Sequence, residues 1–278
     1  MMFWSEFENY RSVGNTPFPE DQRLTPAKAV SGGRYKDIYP TDTWNKANFD
    51  NGGSWLMSVF RLSGDRLIGF VHCEYHWYEW SSAHKSIAVS YSNDNGLTWS
   101  KNVQILTGSD PVPDKAGWGG IGDFNVVKDE KTKRWVMYFG GGMAVSSDPE
   151  GKPGTWFKYL KGSFSSPGLG GGWDDLPGIQ KNPGANFSVH WNTYLGKWVA
   201  VWGGWDSISY ISASDDMINW ETPRVAARSA LGGGRAWYPN IIGETDLIVG
   251  QNARLYYSDI SDSTRKFMGN TIRFVRND

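Results

Sequence analysis

Phe124-Asn125-Val126-Val127-Lys128-Asp129, followed by Lys133-Arg134-Trp135-Val136-Met137-Tyr138-Phe139-Gly140, returns in altered form as Phe187-Ser188-Val189-His190-Trp191-Asn192 and Gly196-Lys197-Trp198-Val199-Ala200-Val201-Trp202-Gly203. The two copies lie 63 positions apart and align without a gap, Arg134-Trp135 on Lys197-Trp198 and Asp123 on Asn186. Each reads as an inner strand, a tight polar turn and an aromatic strand. A third strand follows in each, ending in Ser147-Asp148 or Ser214-Asp215, and then a closing Trp156 or Trp220. A repeated four-stranded meander of this kind is a propeller blade.

Two looser units flank the pair. Residues 54–60 pair through Ser63-Gly64-Asp65 with residues 67–71, continue in residues 86–91 and close on Trp99. Near the C-terminus, residues 238–242 pair with 253–257, and residues 271–275 form the last strand. A fifth unit is expected in the first 50 residues, around Asp37-Ile38-Tyr39-Pro40-Thr41-Asp42-Thr43-Trp44. The expectation is a single all-β domain over residues 1–278, a five-bladed β-propeller of four-stranded antiparallel blades. Joint completion of one blade by the two termini would remove free sheet edges.

Composition agrees. The chain holds 16 Trp and 34 Gly, and aromatic strands broken by glycine turns build sheets, whereas helices prefer Ala, Leu, Glu and Lys. The formal net charge of −1 offers no electrostatic basis for a nucleic-acid or anionic-membrane partner. The densest basic group, Lys128, Lys131, Lys133 and Arg134, lies in a polar hairpin. Cys73, the single cysteine, excludes an intrachain disulfide and reads as a small buried hydrophobe. No apolar run reaches membrane-spanning length. Residues 1–7 lack the basic and apolar regions of a signal peptide; the chain is secreted or periplasmic if a leader has been removed, and cytoplasmic otherwise. A monomer is the default.

Ser92-Asn93-Asp94-Asn95-Gly96-Leu97-Thr98-Trp99 matches the Asp-box pattern Ser-x-Asp-x-Gly-x-Thr-Trp at every defined position. In this it resembles sialidases and many other propellers. The physics is that of a hairpin: Asp accepts backbone N–H groups, Gly takes a positive φ and Trp packs between sheets. Residues 214–223 resemble the closing hairpin of five-bladed glycosidases, among them the glycoside hydrolase family 43 arabinanases and xylosidases and the invertase-like folds. That resemblance implies a propeller and a carbohydrate substrate. Family 43 also implies three carboxylates on successive inner strands, and here no inner strand carries an unambiguous Glu. A sialidase would need three arginines and a Tyr–Glu pair; Phe60-Arg61-Leu62 only echoes the Phe-Arg-Ile-Pro signature.

Polar groups at the starts of inner strands are the candidates for chemistry. Asp123 follows Gly119, Gly120 and Gly122, which would let a ligand approach closely. Asp42 and Asp37 are candidate partner carboxylates, since glycoside cleavage uses a pair. On a strand, His72, Glu74 and His76 share one face; Glu74 could act as general acid, and the trio is a weak metal candidate. No cofactor is expected, although a structural divalent cation such as calcium is compatible. His190 reads equally as a satisfied core histidine or as an axial group. Trp77, Trp118 and Trp173 in loops suit sugar stacking, and Asn186, Tyr238, Gln251 and Arg235 offer polar contacts.

Three readings result. A glycoside hydrolase would draw its carboxylates from Asp123, Glu74 and Asp42. A polysaccharide lyase would use His76 or His190 as base, Tyr75 or Tyr238 as acid, and Arg235 or Lys36 to hold a uronate. A non-catalytic sugar-binding propeller tends to repeat its binding motif in every blade. Here the polar groups differ from blade to blade, which places an enzyme ahead of a lectin and hydrolysis ahead of elimination.

Overall fold

The computed structural model describes the chain except for residues 6–7, 23–27, 35–48, 51, 77–82, 111–117, 180–184, 232–233, 262–263 and 277–278. Asp37, Asp42 and Trp77 lie outside the described residues. For His76 and Asn186 the strand is described and the side chain is not.

The architecture is all-β and propeller-type, built from antiparallel meanders, with one four-residue helical turn (α1, Pro19–Gln22). An N-terminal sheet has the order β1 (Met2–Ser5), β2 (Glu8–Ser12), β3 (Lys28–Arg34). The first blade is β4 (Gly53–Ser63), β5 (Arg66–His76), β6 (Ala83–Ser92) and β7 (Val103–Thr107), with β8 (Gly119–Gly120) parallel to β6. The second is β9 (Phe124–Asp129), β10 (Arg134–Phe139), β11 (Gly142–Ser146), β12 (Trp156–Leu160) and β13 (Ser163–Pro167). The third is β14 (Ala185–Asn192), β15 (Lys197–Gly203), β16 (Ile208–Ser214) and β17 (Arg224–Arg228). The fourth is formed from β18 (Arg235–Ile242), β20 (Asn252–Ile260) and β21 (Arg265–Arg273), while β19 (Ile248–Val249) runs parallel to β14. The repeat is thus realised strand for strand, β9 to β12 matching β14 to β17.

Five blades were expected, and the described residues show four. The N-terminal strands make a three-stranded sheet that caps β4 instead. Asn9 donates from Nδ2 to the Ser54 carbonyl at 2.9 Å, and its Oδ1 accepts the Leu56 N–H at 2.7 Å, where β4 slips register between Leu56 and Ser58. Backbone groups on a sheet edge must find partners, and the Asn9 side chain supplies two of them. Two smaller differences follow from packing. Trp220 meets Ser214 in an isolated bridge and β17 starts only at Arg224. Within the glycine-rich connection 162–185, residues 163–167 add a fifth strand to the second blade.

Contacts cluster the described chain into two compact units. One comprises Met1–Gly122, Lys128–Met137 and Ala144–Trp173; the other comprises Asp123–Val127, Tyr138–Met143 and Asp174–Asp278. In the first, Phe60, Phe70, Trp135 and Trp156 meet edge to face with centroids 4.9–5.7 Å apart. In the second, Tyr138 packs against Phe187 and Trp220, and Phe187 against Trp202. Aromatic pairs of this kind, edge to face or tilted, add to the stabilisation from buried area.

The Ser92–Trp99 hairpin forms as its chemistry dictates. Asp94 Oδ1 accepts the Thr98 N–H at 2.8 Å and the Leu97 N–H at 3.1 Å, while Ser92 Oγ accepts the Gly96 N–H at 2.8 Å. The Thr98 hydroxyl and these amides hold the Asp94 carboxyl down to about 2. Gly96 takes φ +85°, and a side chain there would strike the Phe3 ring. Ser214–Trp220 repeats the device, with Asp216 Oδ1 accepting the Asn219 and Ile218 N–H groups.

Candidate functional site

Alternation along β5 divides its side chains. Val71 and Cys73 pack in a core cluster with Leu56 and Ala88, and burial pushes the Cys73 thiol well above its usual range, which leaves it inert. The opposite face begins apolar at Ile68 and Phe70 and turns polar at His72 and Glu74. His72 Nε2 and Glu74 Oε1 are 3.1 Å apart, and the Glu74 side chain is only 14% exposed. The His72 ring stands edge-on to Trp55, centroids 5.5 Å apart.

The neighbouring strand and loop complete this face. Glu74 and Lys85 are register partners on β5 and β6, and Lys85 Nζ lies 5.3 Å from the ring centroid of Trp118. Trp118 is 63% exposed. Beyond it the chain runs flat against β6: the Ile121 N–H donates to the Lys85 carbonyl at 3.1 Å. Gly120, at φ +76°, lies so close that a Cβ would fall 1.9 Å from that carbonyl oxygen. Only glycine fits there. At Gly122 a Cβ would fall 2.4 Å from His72 Cε1, so this backbone is a wall of the His72 pocket. Asp123 is the next residue, in the left-handed region at φ +49°, a conformation that a non-glycine residue adopts only where its surroundings enforce it.

Of the residues singled out in the sequence, the first unit thus groups His72, Glu74 and Trp118 around one strand face. Trp173 lies elsewhere in that unit, its ring centroid 5.3 Å from Lys158 Nζ. Lys158 is fully buried and donates to the Thr107 carbonyl at 2.6 Å and to the Gly171 carbonyl. Burial lowers its pKa to about 8. It ties down the glycine-rich strand exit, and Trp173 is positioned by that tie.

In the second unit, Arg235 and Tyr238 come together on β18. The Arg235 guanidinium lies 5.2 Å from the Trp205 ring centroid and 4.9 Å from that of Trp237. Trp237 meets Trp205 and Tyr238 edge to face. Gln251 sits in the turn between β19 and β20, where its carbonyl accepts the Phe274 N–H. His190 is 0% exposed; its ring stands edge-on to Phe274, centroids 6.0 Å apart, and burial pushes its pKa down to about 3. The axial role considered for His190 requires access to ligand, and the structure gives this residue a core position instead.

Trp205 and Trp237 were absent from the sequence candidates. Trp205 left no signal, because one tryptophan in a hairpin turn looks like any other. Trp237 next to Tyr238, after Arg235, was a weak cue. Among the described residues no group of three or more His, Cys, Asp or Glu side chains is placed to hold a metal ion, and no helix is long and apolar enough to cross a membrane.

No protein-family profile matches the chain, and no curated protein sequence matches it. Among solved structures, it is similar to the catalytic domain of a GH62 α-L-arabinofuranosidase from Coprinopsis cinerea. The identity is 11% and the TM-score 0.46, over 77% of this chain and 62% of that one. The NanB sialidase from Streptococcus pneumoniae aligns with 10% identity and TM-score 0.44, over 84% of this chain and 52% of that one. Drosophila Semaphorin 1a, extracellular domains 1–2, aligns with 11% identity and TM-score 0.38, over 98% of this chain and 64% of that one. The chain therefore spans between about half and two thirds of the length of these structures.

Proposed function

We propose that the protein is a glycoside hydrolase acting on a polysaccharide or oligosaccharide by paired-carboxylate chemistry, with Glu74 as general acid and Asp123 as a candidate for the second carboxylate. The observation that carries this reading is the His72–Glu74 pair: a largely covered carboxyl group held at 3.1 Å by an imidazole, on a strand face whose loop presents the exposed Trp118. Cleavage needs a proton delivered to the leaving glycosidic oxygen and a second carboxylate that activates water or attacks the anomeric carbon. Glu74 suits the first task, because His72 can fix its orientation and return its proton. Asp123 is the candidate for the second, its backbone held at positive φ. An indole face such as that of Trp118 stacks on the apolar C–H face of a sugar ring.

Elimination is the second reading, favoured by Arg235 and Tyr238 lying in one cluster. His190, without exposed surface, does not supply its base.

The test is a panel of polysaccharides with products read by mass. Addition of water marks hydrolysis; an unsaturated uronate marks elimination and would replace the first reading by the second. On the substrate so found, Glu74→Gln and Asp123→Asn are expected to fold normally and lose ~10²–10⁴-fold in turnover, the usual worth of a positioned acid or base. Wild-type turnover from either variant refutes the assignment of that residue.

A further inference from the structure

On β18, Arg235 and Trp237 share a strand face while Ala236 between them is buried in the core. Register with β20 is lost between Trp237 and Asn240, and within that bulge Tyr238 takes φ +53° and stays exposed. Bulges re-aim side chains and recur beside functional sites. Here the bulge turns Tyr238 outward beside Trp237.

Trp205 completes the group. It stands at the tip of the β15–β16 hairpin, where the Gly204 N–H donates to the Ile208 carbonyl at 2.6 Å, and it is 55% exposed. A tryptophan so exposed, packed edge to face on a second one, gives a rigid apolar platform at low entropic cost.

The guanidinium between these rings has no ion pair and no hydrogen bond among the described residues. Two nearby carboxylates among the described residues are engaged elsewhere. Asp206 accepts the Tyr210 hydroxyl, and Asp259, fully buried, accepts the Ser229 hydroxyl and the Ala230 N–H. Two buried polar atoms flanking the bulge, Trp237 Nε1 and Asn240 Oδ1, also lack partners among the described residues, although buried polar atoms are as a rule satisfied. An arginine held against aromatic rings and unpaired keeps its fork of N–H donors for a planar bidentate anion.

We propose that Trp205, Arg235, Trp237 and Tyr238 form a binding site for a carboxylate-bearing sugar residue of a glycan, a uronosyl unit or its chemical equivalent. Its ring stacks on indole or phenol and its carboxylate takes the Arg235 fork. The site rests on the proposed glycan substrate and concerns its binding, not the proton transfer assigned to Glu74.

The experiment uses the full chain carrying Glu74→Gln, so that ligand is not consumed, against an array of uronate-containing oligosaccharides and their carboxyl-reduced neutral counterparts. Tryptophan fluorescence and calorimetry read the binding. At least one acidic glycan is expected to bind ten-fold or more tighter than its reduced form. Arg235→Gln is expected to abolish that preference, with Arg235→Lys restoring part of it through charge without the fork, and Trp205→Ala to weaken both forms. Unchanged far-ultraviolet dichroism and melting temperature check that the exposed substitutions leave the fold intact. Equal binding of acidic and reduced forms, no binding of any glycan, or an undiminished preference in Arg235→Gln overturns the proposal. Turnover by Glu74→Gln would sink the general-acid assignment and leave this binding result untouched.

Discussion

Replacing Gly122 by alanine tests the geometry of the His72–Glu74 pair from the backbone side. The added Cβ would lie 2.4 Å from His72 Cε1 and 2.6 Å from Nδ1, whereas non-bonded carbons settle at about 3.5–4.0 Å. One partner must therefore move by roughly 1 Å. Gly122 follows an Ile121 N–H anchored on the Lys85 carbonyl, so the imidazole moves and its 3.1 Å contact with Glu74 opens. Overpacking of this size costs about 1–3 kcal/mol. For a chain of this size each kcal/mol lowers Tm by about 2–4 °C, so a fall of roughly 5 °C is expected. Misplacement of a catalytic group by about 1 Å costs on the order of 10²-fold in rate. Gly172→Ala is the control, because a Cβ there meets nothing within 4 Å. Adding His72→Ala to Gly122→Ala removes the clash, so a double-mutant cycle on Tm should show coupling of about 0.5–3 kcal/mol. An alanine variant that melts with the wild type, or a cycle with no coupling, would refute the reasoning before any substrate is known.

The other predictions concern protonation. His190 stays neutral in the fold down to about pH 3, while the unfolded chain protonates near 6.5. Its contribution is whole above pH 6.5 and is lost as the pH falls toward 3. His190→Phe should therefore gain on the wild type by ~1.4 kcal/mol per pH unit through that window, as read by urea melts at pH 7, 5.5 and 4; a constant gap would count against the buried neutral histidine. Lys158 carries the opposite window. The folded lysine loses its proton near pH 8 and the unfolded one near 10.5, so its desolvation cost is full below pH 8 and relieved as the pH rises to 10.5. The stability of Lys158→Met relative to wild type should fall across that interval by up to ~1.4 kcal/mol per pH unit. No pH dependence in the difference would mean that Lys158 is already neutral or well solvated.

The blade is the part of this protein that sequence carries openly. A blade needs a fixed order of apolar strand, polar turn and aromatic strand, and those preferences are local. The positions from Phe124 to Phe139 and from Phe187 to Gly203 therefore announced β9–β10 and β14–β15 before any contact was known. The Ser92–Trp99 hairpin is equally local, since every donor to Asp94 lies within four residues of it. His72 and Glu74 were placed on one face by strand alternation alone, and the structure keeps them there at 3.1 Å.

Period-two alternation assigns side chains to faces, but it does not say which neighbour covers a face. That is where tertiary structure decided. His190 and Glu74 both sit at polar positions on strands; one is sealed against Phe274, and the other pairs with His72 beside its register partner Lys85. In the N-terminal sheet, the Asn9 side chain is committed to backbone groups of β4 far along the chain. Gly122 and Trp205 acquire meaning only from residues far away in the chain, His72 in one case and Arg235 in the other. Sequence alone determined the repeating strands and their turns, which rest on interactions within a few residues. The depth of each pocket and the company of each charge rest on long-range packing, and only the folded chain set them.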